Sequence, residues 1–503
     1  MLSPARHRLE AVGDHLGTRA TSSGTVASAA VPQRRPRVAA IVTAYFPQSH
    51  ADVIITKLIK GYSTDEGFVT PSVDVVSLYM DQCILPAFDR TLPLGQQPAS
   101  LSTPGGRNPR DIGTAIAAEH GIPIYSTIRR ALYEGDHFYG GGKKPELNID
   151  GVVMIGEHGD YPNDELGRTL YPQRYFFEQI AGMFAEAGKS VPLYTDKHLS
   201  HCASDAHWMM QRAEALRIPM LAGSSLPVCW RSPNLEYKLG EQHMEEVCVL
   251  VNGGVSFGFG GDGWHAMEAV QAMVERRHGG ECGVSSVRYL QGDAVWAARA
   301  RGEFSAELMA AAAGYTRTRE GVALEDVSEV GRDGDSQAGL VLLTYRDGLR
   351  LAMLLIPNVI LPDPVAADTP SDGTGTTGIG AYLAFAARAT DGQITGCEFT
   401  VGGPTCAHFS YLTSNIERMF LTGSPPYNAQ RTLLTTGIFD YVLAARGDGT
   451  GEPVDTPDLA IEYTSYCDDM PPARPVGPRP SGASVDPQSV DDNWSTGGGR
   501  WMQ

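Results

Sequence analysis

The chain has 503 residues, 42% hydrophobic and 19% charged, with a formal net charge of −18. That is enough apolar material for two cores of ordinary size, and the acidic balance argues against nucleic acid or an anionic membrane as the main partner. No run approaches the ~18 apolar residues of a membrane span, and the eight cysteines stand without CxxC pairs. Such cysteine usage suits a reducing compartment, so a cytoplasmic protein is expected.

In chain order, residues 1–36 are rich in Ala, Ser, Thr and Arg with no lasting period. They bury too little apolar area to offset ordering and are expected to form a disordered tail. RVAAIVT (37–43) predicts a buried strand and His50 to Tyr62 a helix. VDVVSLYM (73–80) predicts a second strand, and a helix over 111–121 ends at a glycine. IPIYS gives a short third strand and IDGVVMIG (149–156) a fourth, followed by a helix over 172–188. SVPLYT is the fifth strand, 203–216 a helix, and IPMLAG the sixth strand. Continuous apolar strands alternating with helices mean a parallel sheet covered on both faces, a Rossmann-like domain over 37–222.

The second half, 223–467, changes character. EVCVLVNGG (246–254) is strand-like, and WHAMEAVQAMVERR (264–277) is an amphipathic helix. Two hairpins are predicted to turn at Asp347-Gly348 and Asp391-Gly392, and two helices follow near 409–421 and 430–446. This half is expected to be an α+β domain with a largely antiparallel sheet. An exposed face of that sheet would seek a partner, so a homo-oligomer is expected. Residues 468–503, rich in Pro, Gly and Ser, are a second expected tail.

Chemistry-bearing residues gather at predicted strand ends. The fifth strand runs into Asp196-Lys197-His198, and open α/β sheets bind ligands along that edge. A lysine held there can carry or move a proton if its surroundings depress its pKa. A solvated strand-end charge cluster is the plain alternative. After the fourth strand comes Gly156-Glu157-His158-Gly159-Asp160-Tyr161, with carboxylates, an imidazole and a phenol at the neighbouring edge. Glu157, His158, Asp160 and Tyr161 could bind a polyol, act as acid and base, or hold a divalent cation. They could also simply hydrogen-bond the loop and cap the next helix. No strong metal signature is present, so the metal ligands stay unknown. Arg231 follows the sixth strand at the domain junction, as a substrate clamp or as an ion pair.

The order of a six-strand Rossmann half, a strand ending in DKH where EKP is usual, a helix, PMLAG and then a sheet domain resembles the glucose-fructose oxidoreductase/inositol dehydrogenase/MocA family. WHAMEAVQAMV looks like that family's active-site helix. The resemblance implies NAD or NADP as cofactor and a sugar-, cyclitol- or polyol-like small molecule as substrate. On it, Lys197 matches the lysine that touches nicotinamide and substrate, and His265 the histidine that exchanges the hydroxyl proton. Asp262 is a looser match for the family's aspartate, and His198 stands beside the lysine. The family's glycine-rich first turn is missing. It reads Thr43-Ala44-Tyr45-Phe46-Pro47-Gln48-Ser49-His50, where glycines would let the backbone approach a pyrophosphate. Ser49, His50, Asp81 and Asp196 are the remaining candidates for holding the cofactor.

Three readings follow. The first is a dehydrogenase-like enzyme of carbohydrate metabolism using a Lys/His acid-base pair. The second is a redox-neutral or metal-assisted lyase, isomerase or hydrolase that uses the Glu157-His158-Asp160 cluster without a free dinucleotide. The third is a non-catalytic sugar sensor, since a fold alone never guarantees chemistry.

Overall fold

A computed structural model describes residues 34–47, 49–83, 111–135, 146–252, 262–318, 337–357, 359–360, 380–401, 406–465 and 472–475. From Pro36 onward the chain forms one compact unit. Strand β1 (Arg37–Val42) is buried from its second residue on. Helix α1 follows, π-helical over Asp52–Thr56 and α-helical over Lys57–Lys60. A small hairpin, β2 (Tyr62–Thr64) and β3 (Gly67–Val69), follows, so the predicted helix ends short of Tyr62. Then come β4 (Asp74–Met80), α2 (Gly113–His120), β5 (Ile124–Tyr125) and α3 (Ile128–Tyr133). The first half closes with β6 (Gly151–Ile155), α4 (Gln173–Ala187), β7 (Leu193–Thr195), α5 (Ala203–Ala215) and β8 (Met220–Ala222).

These strands form one six-stranded sheet in the order β5-β4-β1-β6-β7-β8, every pair parallel. The chain moves outward from β1 in one direction and from β6 in the other. The doubly wound Rossmann-like sheet expected from the sequence is therefore present, with its switch point between β1 and β6. Continuous apolar runs form these strands because both faces are covered.

The second half adds β9 (Trp230–Ser232), β10 (Met244–Asn252), α6 (Asp262–Val274), β11 (Val284–Gln291), α7 (Asp293–Ala300) and α8 (Ala306–Gly314). The predicted hairpins are β12 (Gly339–Tyr345) with β13 (Arg350–Ile356) and β14 (Gly380–Ala389) with β15 (Ile394–Val401). Helices α9 (His408–Thr422) and α10 (Gln430–Asp448) and the short β16 (Val454–Asp455) complete it. The eight-stranded sheet runs β16-β11-β12-β13-β10-β14-β15-β9. It is antiparallel except where β10 lies parallel to β13, inserted between the two hairpins.

Two long-range packings position the site. Helix α9, from the end of the chain, packs with α1 on one face of the first sheet, placing Phe409, Leu412, Ile416 and Phe420 among Val38, Ala40 and Val153. A side chain at Gly151 would meet the Phe420 ring at 2.4 Å, so this approach requires glycine. On the other side, α10 contacts both α5 and α6. One continuous apolar cluster joins Ile41 and Met154 of the first sheet to Val249 and Phe385 of the second. Among the described residues no helix is long and apolar enough to cross a membrane.

Candidate functional site

The loops leaving β1, β6 and β7 at their carboxyl ends meet at the switch point. The first turn is filled by its own side chains, with Ala44, Tyr45 and Phe46 buried. The Tyr45 hydroxyl lies 2.8 Å from Thr56 Oγ1. Ser49 Oγ accepts from the backbone N–H groups of Phe46 and Asp52, each at 3.2 Å. A serine in this place satisfies helix-start donors that would otherwise be free. It also fixes the first helical turn so that His50 faces the ends of β6 and β7.

There a buried charged cluster forms. Lys197 Nζ donates to Glu157 Oε1 at 2.9 Å, and both side chains are almost fully buried. His50 Nδ1 lies 3.0 Å from Asp196 Oδ2 and 3.2 Å from Glu157 Oε2. The Gly156 N–H donates to Asp196 Oδ1 at 2.8 Å, tying the ends of β6 and β7 together. Burial pushes Asp196 up to about 7, against the pull of the Gly156 N–H and Lys197. His50 is pushed down to about 4, chiefly by burial, with Glu157 acting the other way. Both shifts express the cost of holding charge away from water.

Three more imidazoles surround this core. His158 has φ 73° and His198 φ 26°, both in the left-handed region that ordinary side chains seldom adopt. His158 Nδ1 accepts from the His50 N–H at 3.4 Å, and its ring meets Phe46 and His50 edge-on. His198 Nδ1 is 3.3 Å from Gln173 Nε2, with Tyr171 stacked on its ring and Trp264 edge-on to it. His265, carried in by α6, has its ring centroid 6.3 Å from that of His50. Its Nδ1 is buried with no hydrogen-bond partner among the described residues. Burial first, then Lys197, holds His198 and His265 well below the usual imidazole range, so both are neutral. The arrangement provides an amine, two carboxyl groups and neutral imidazoles in a buried cluster, a set able to give and take protons from a hydroxyl.

The structure thus brings Lys197, His198, His265, His50, Asp196, Glu157 and His158 together. The other sequence candidates lie elsewhere. Asp262 begins α6, and its side chain lies outside the described residues. Asp160 is exposed and uses its backbone to bond Gln82 on both sides. Tyr161 donates to Asp81 Oδ2 and Tyr79 to Asp81 Oδ1, each at 2.7 Å. Arg231 is fully buried at the edge of the second sheet, bonded to Glu236, Leu235 O and Pro227 O and lying over Phe399. It is an ion pair with Glu236, as one of the two sequence alternatives had it, and it is not part of the cluster. Sequence reasoning missed Gln173, Tyr171 and Phe409, none of which carries a local signal. Helix α6 also carries Glu268. That carboxylate is buried, accepts from Ser224 N at 2.7 Å and Thr432 Oγ1 at 2.9 Å, and is pushed up to about 6 by burial.

Asp81 and the first turn decide how a dinucleotide could sit. Both Asp81 oxygens are already bonded, and Tyr45 and Phe46 occupy the space a glycine turn leaves open.

No family model matches the sequence, and no curated protein matches it. Among solved structures the chain is similar to GenD2 from gentamicin A biosynthesis in complex with NAD, at 13% identity and TM-score 0.47, over 86% of this chain and 99% of that one. It is also similar to a myo-inositol dehydrogenase from Corynebacterium glutamicum, at 9% identity and TM-score 0.44, over 84% and 98%. A third is an aldose-aldose oxidoreductase from Caulobacter crescentus complexed with glycerol, at 14% identity and TM-score 0.42, over 84% and 100%.

Proposed function

We propose that the chain is an oxidoreductase acting on a sugar, cyclitol or related polyhydroxylated small molecule, with NAD or NADP as its redox partner. The observation that carries this reading is the buried Lys197–Glu157 pair at the carboxyl edge of a doubly wound sheet, linked through His50 to His265 of the second domain. In this reading the Lys197 ammonium donates to the substrate oxygen and polarises it. Neutral His265 accepts the hydroxyl proton at the unpartnered Nδ1. Glu157 holds Lys197 in place, and His158 and His198 face other substrate hydroxyls. Bound nicotinamide would supply the hydride acceptor. A cytoplasmic location and assembly into a homo-oligomer belong to the same proposal.

Calorimetric titration of the purified chain with NAD and NADP, oxidised and reduced, tests the cofactor. A polyol screen with Lys197→Ala and His265→Ala tests the pair, and full turnover by folded variants overturns its assignment. The filled first turn and the bonded Asp81 favour a second reading, in which the cluster runs a redox-neutral or metal-assisted lyase, isomerase or hydrolase reaction. Turnover without nicotinamide by a protein that binds no dinucleotide selects it.

A further inference from the structure

We propose that His50, Glu157 and Asp196 form a binding site for one divalent transition-metal ion at the switch point of the first sheet. This goes beyond either functional reading, because it stands on the donor set alone. The three side chains reach the same point from three loops, and their ligand atoms all lie within 4.8 Å of one another. His50 Nδ1 is 3.0 Å from Asp196 Oδ2 and 3.2 Å from Glu157 Oε2. Nitrogen and oxygen ligands ~2.0–2.2 Å from a common ion stand about 3.0–3.5 Å apart when they subtend octahedral or tetrahedral angles. The two edges that meet at His50 Nδ1 already have this spacing, and the carboxylate oxygens lie within 4.8 Å of each other.

The second observation is Glu157 Oε2. It is buried and makes no hydrogen bond despite the nearness of His50, so an acceptor is aimed into the cluster with nothing donated to it. The other oxygen of each carboxylate is held from behind. Lys197 donates to Glu157 Oε1 and the Gly156 N–H donates to Asp196 Oδ1. Such outer contacts orient ligating oxygens and fix which one faces the metal.

The donor chemistry narrows the choice of ion. One imidazole and two carboxylates suit zinc, manganese(II) or iron(II) better than a thiolate-seeking ion. The positions not taken by protein would accept water or a substrate hydroxyl.

The test uses the full chain, stripped with a chelator and titrated with Co²⁺ as an optical probe and with Zn²⁺ by calorimetry. The expected result is one equivalent bound at micromolar affinity or tighter. Visible cobalt bands should appear without a thiolate-to-cobalt charge-transfer band. His50→Gln and Asp196→Asn should each weaken binding by roughly 100-fold or more, beyond the 10–100-fold typical of outer-contact losses. X-ray absorption on the zinc-loaded wild type, expected to show only N and O ligands including one imidazole, serves if a variant does not fold. No binding by folded wild type overturns the proposal. So does a thiolate band lost in Cys202→Ser, which would place the ion at His201, Cys202 and Asp205 instead. None of these readouts depends on turnover or on nicotinamide, so this proposal and the oxidoreductase reading fail separately.

Discussion

Replacing Lys197 by methionine keeps the volume and apolar stem of the side chain and removes only the ammonium. In the metal-free protein Glu157 then loses its 2.9 Å partner while both positions stay almost fully buried. Breaking a buried pair from one side costs about 3–5 kcal/mol, because the remaining charge has neither water nor a counter-ion. With an unfolding entropy of ~2.1 cal/mol/K per residue over the 347 described residues, that loss lowers Tm by about 4–7 °C. His50 sits 3.2 Å from the other Glu157 oxygen and is held down partly by Lys197. Its pKa should therefore rise from about 4 in the variant, partly neutralising the orphaned carboxylate. Stability should then recover as the pH is lowered. The double variant Lys197→Met/Glu157→Gln should regain most of the loss. Thermal unfolding at pH 8 and pH 5.5 and NMR titration of the His50 ring measure both effects. A cost under about 1 kcal/mol at pH 8, with Lys197→Met and Glu157→Gln effects simply adding, would refute the buried pair.

The pH dependence of stability in chelated protein has a definite sign. Asp196 at about 7 keeps its proton above the unfolded carboxylate range, so its contribution falls as pH rises from about 4 to 7. His50 at about 4 loses its proton before the unfolded imidazole does, so its contribution rises from about 4 to 6.5. The two oppose each other, and relative to wild type the urea-denaturation profile across that range should tilt upward with pH in Asp196→Asn and downward in His50→Gln; profiles parallel to wild type would contradict both assignments. Gly223→Ala places a methyl group at φ 114° and 2.1 Å from Glu268 Oε1. Backbone strain and the displaced buried carboxylate should together cost about 3 kcal/mol or more, read by urea denaturation, and an unchanged midpoint would mean the contact relaxes freely. Tyr161→Phe frees one Asp81 oxygen. Losing a charged hydrogen bond of ~1.5 kcal/mol, it should tighten NAD or NADP binding about tenfold by calorimetry if the loop must yield to the cofactor. No change in affinity would remove the loop from that role.

Much of the framework was legible because it is written in local periodicity. Buried runs such as RVAAIV and GVVMI reappear as β1 and β6, and the Asp347-Gly348 and Asp391-Gly392 turns close the two hairpins. Asp196, Lys197 and His198 stand at a strand's carboxyl end because that strand is short and ends where the apolar run ends. What no local pattern contains is strand order. β10 reads as an ordinary strand, yet it lies parallel to β13 between the hairpins. Helix α9 is expected from the sequence near 409–421, but only packing puts Phe420 against Gly151 of the first sheet. The site has the same character. His50 and Asp196 lie 146 residues apart, and their side chains meet because β1, β6 and β7 are neighbours in one parallel sheet. The same neighbourhood turns Tyr161 toward Asp81, while the second sheet's edge encloses Arg231, two residues that sequence reasoning assigned to substrate. Composition and period therefore determined the elements and the residues at their ends. Tertiary structure alone decided which of those ends share a dielectric environment, and hence which carboxylates carry protons and which imidazoles are neutral.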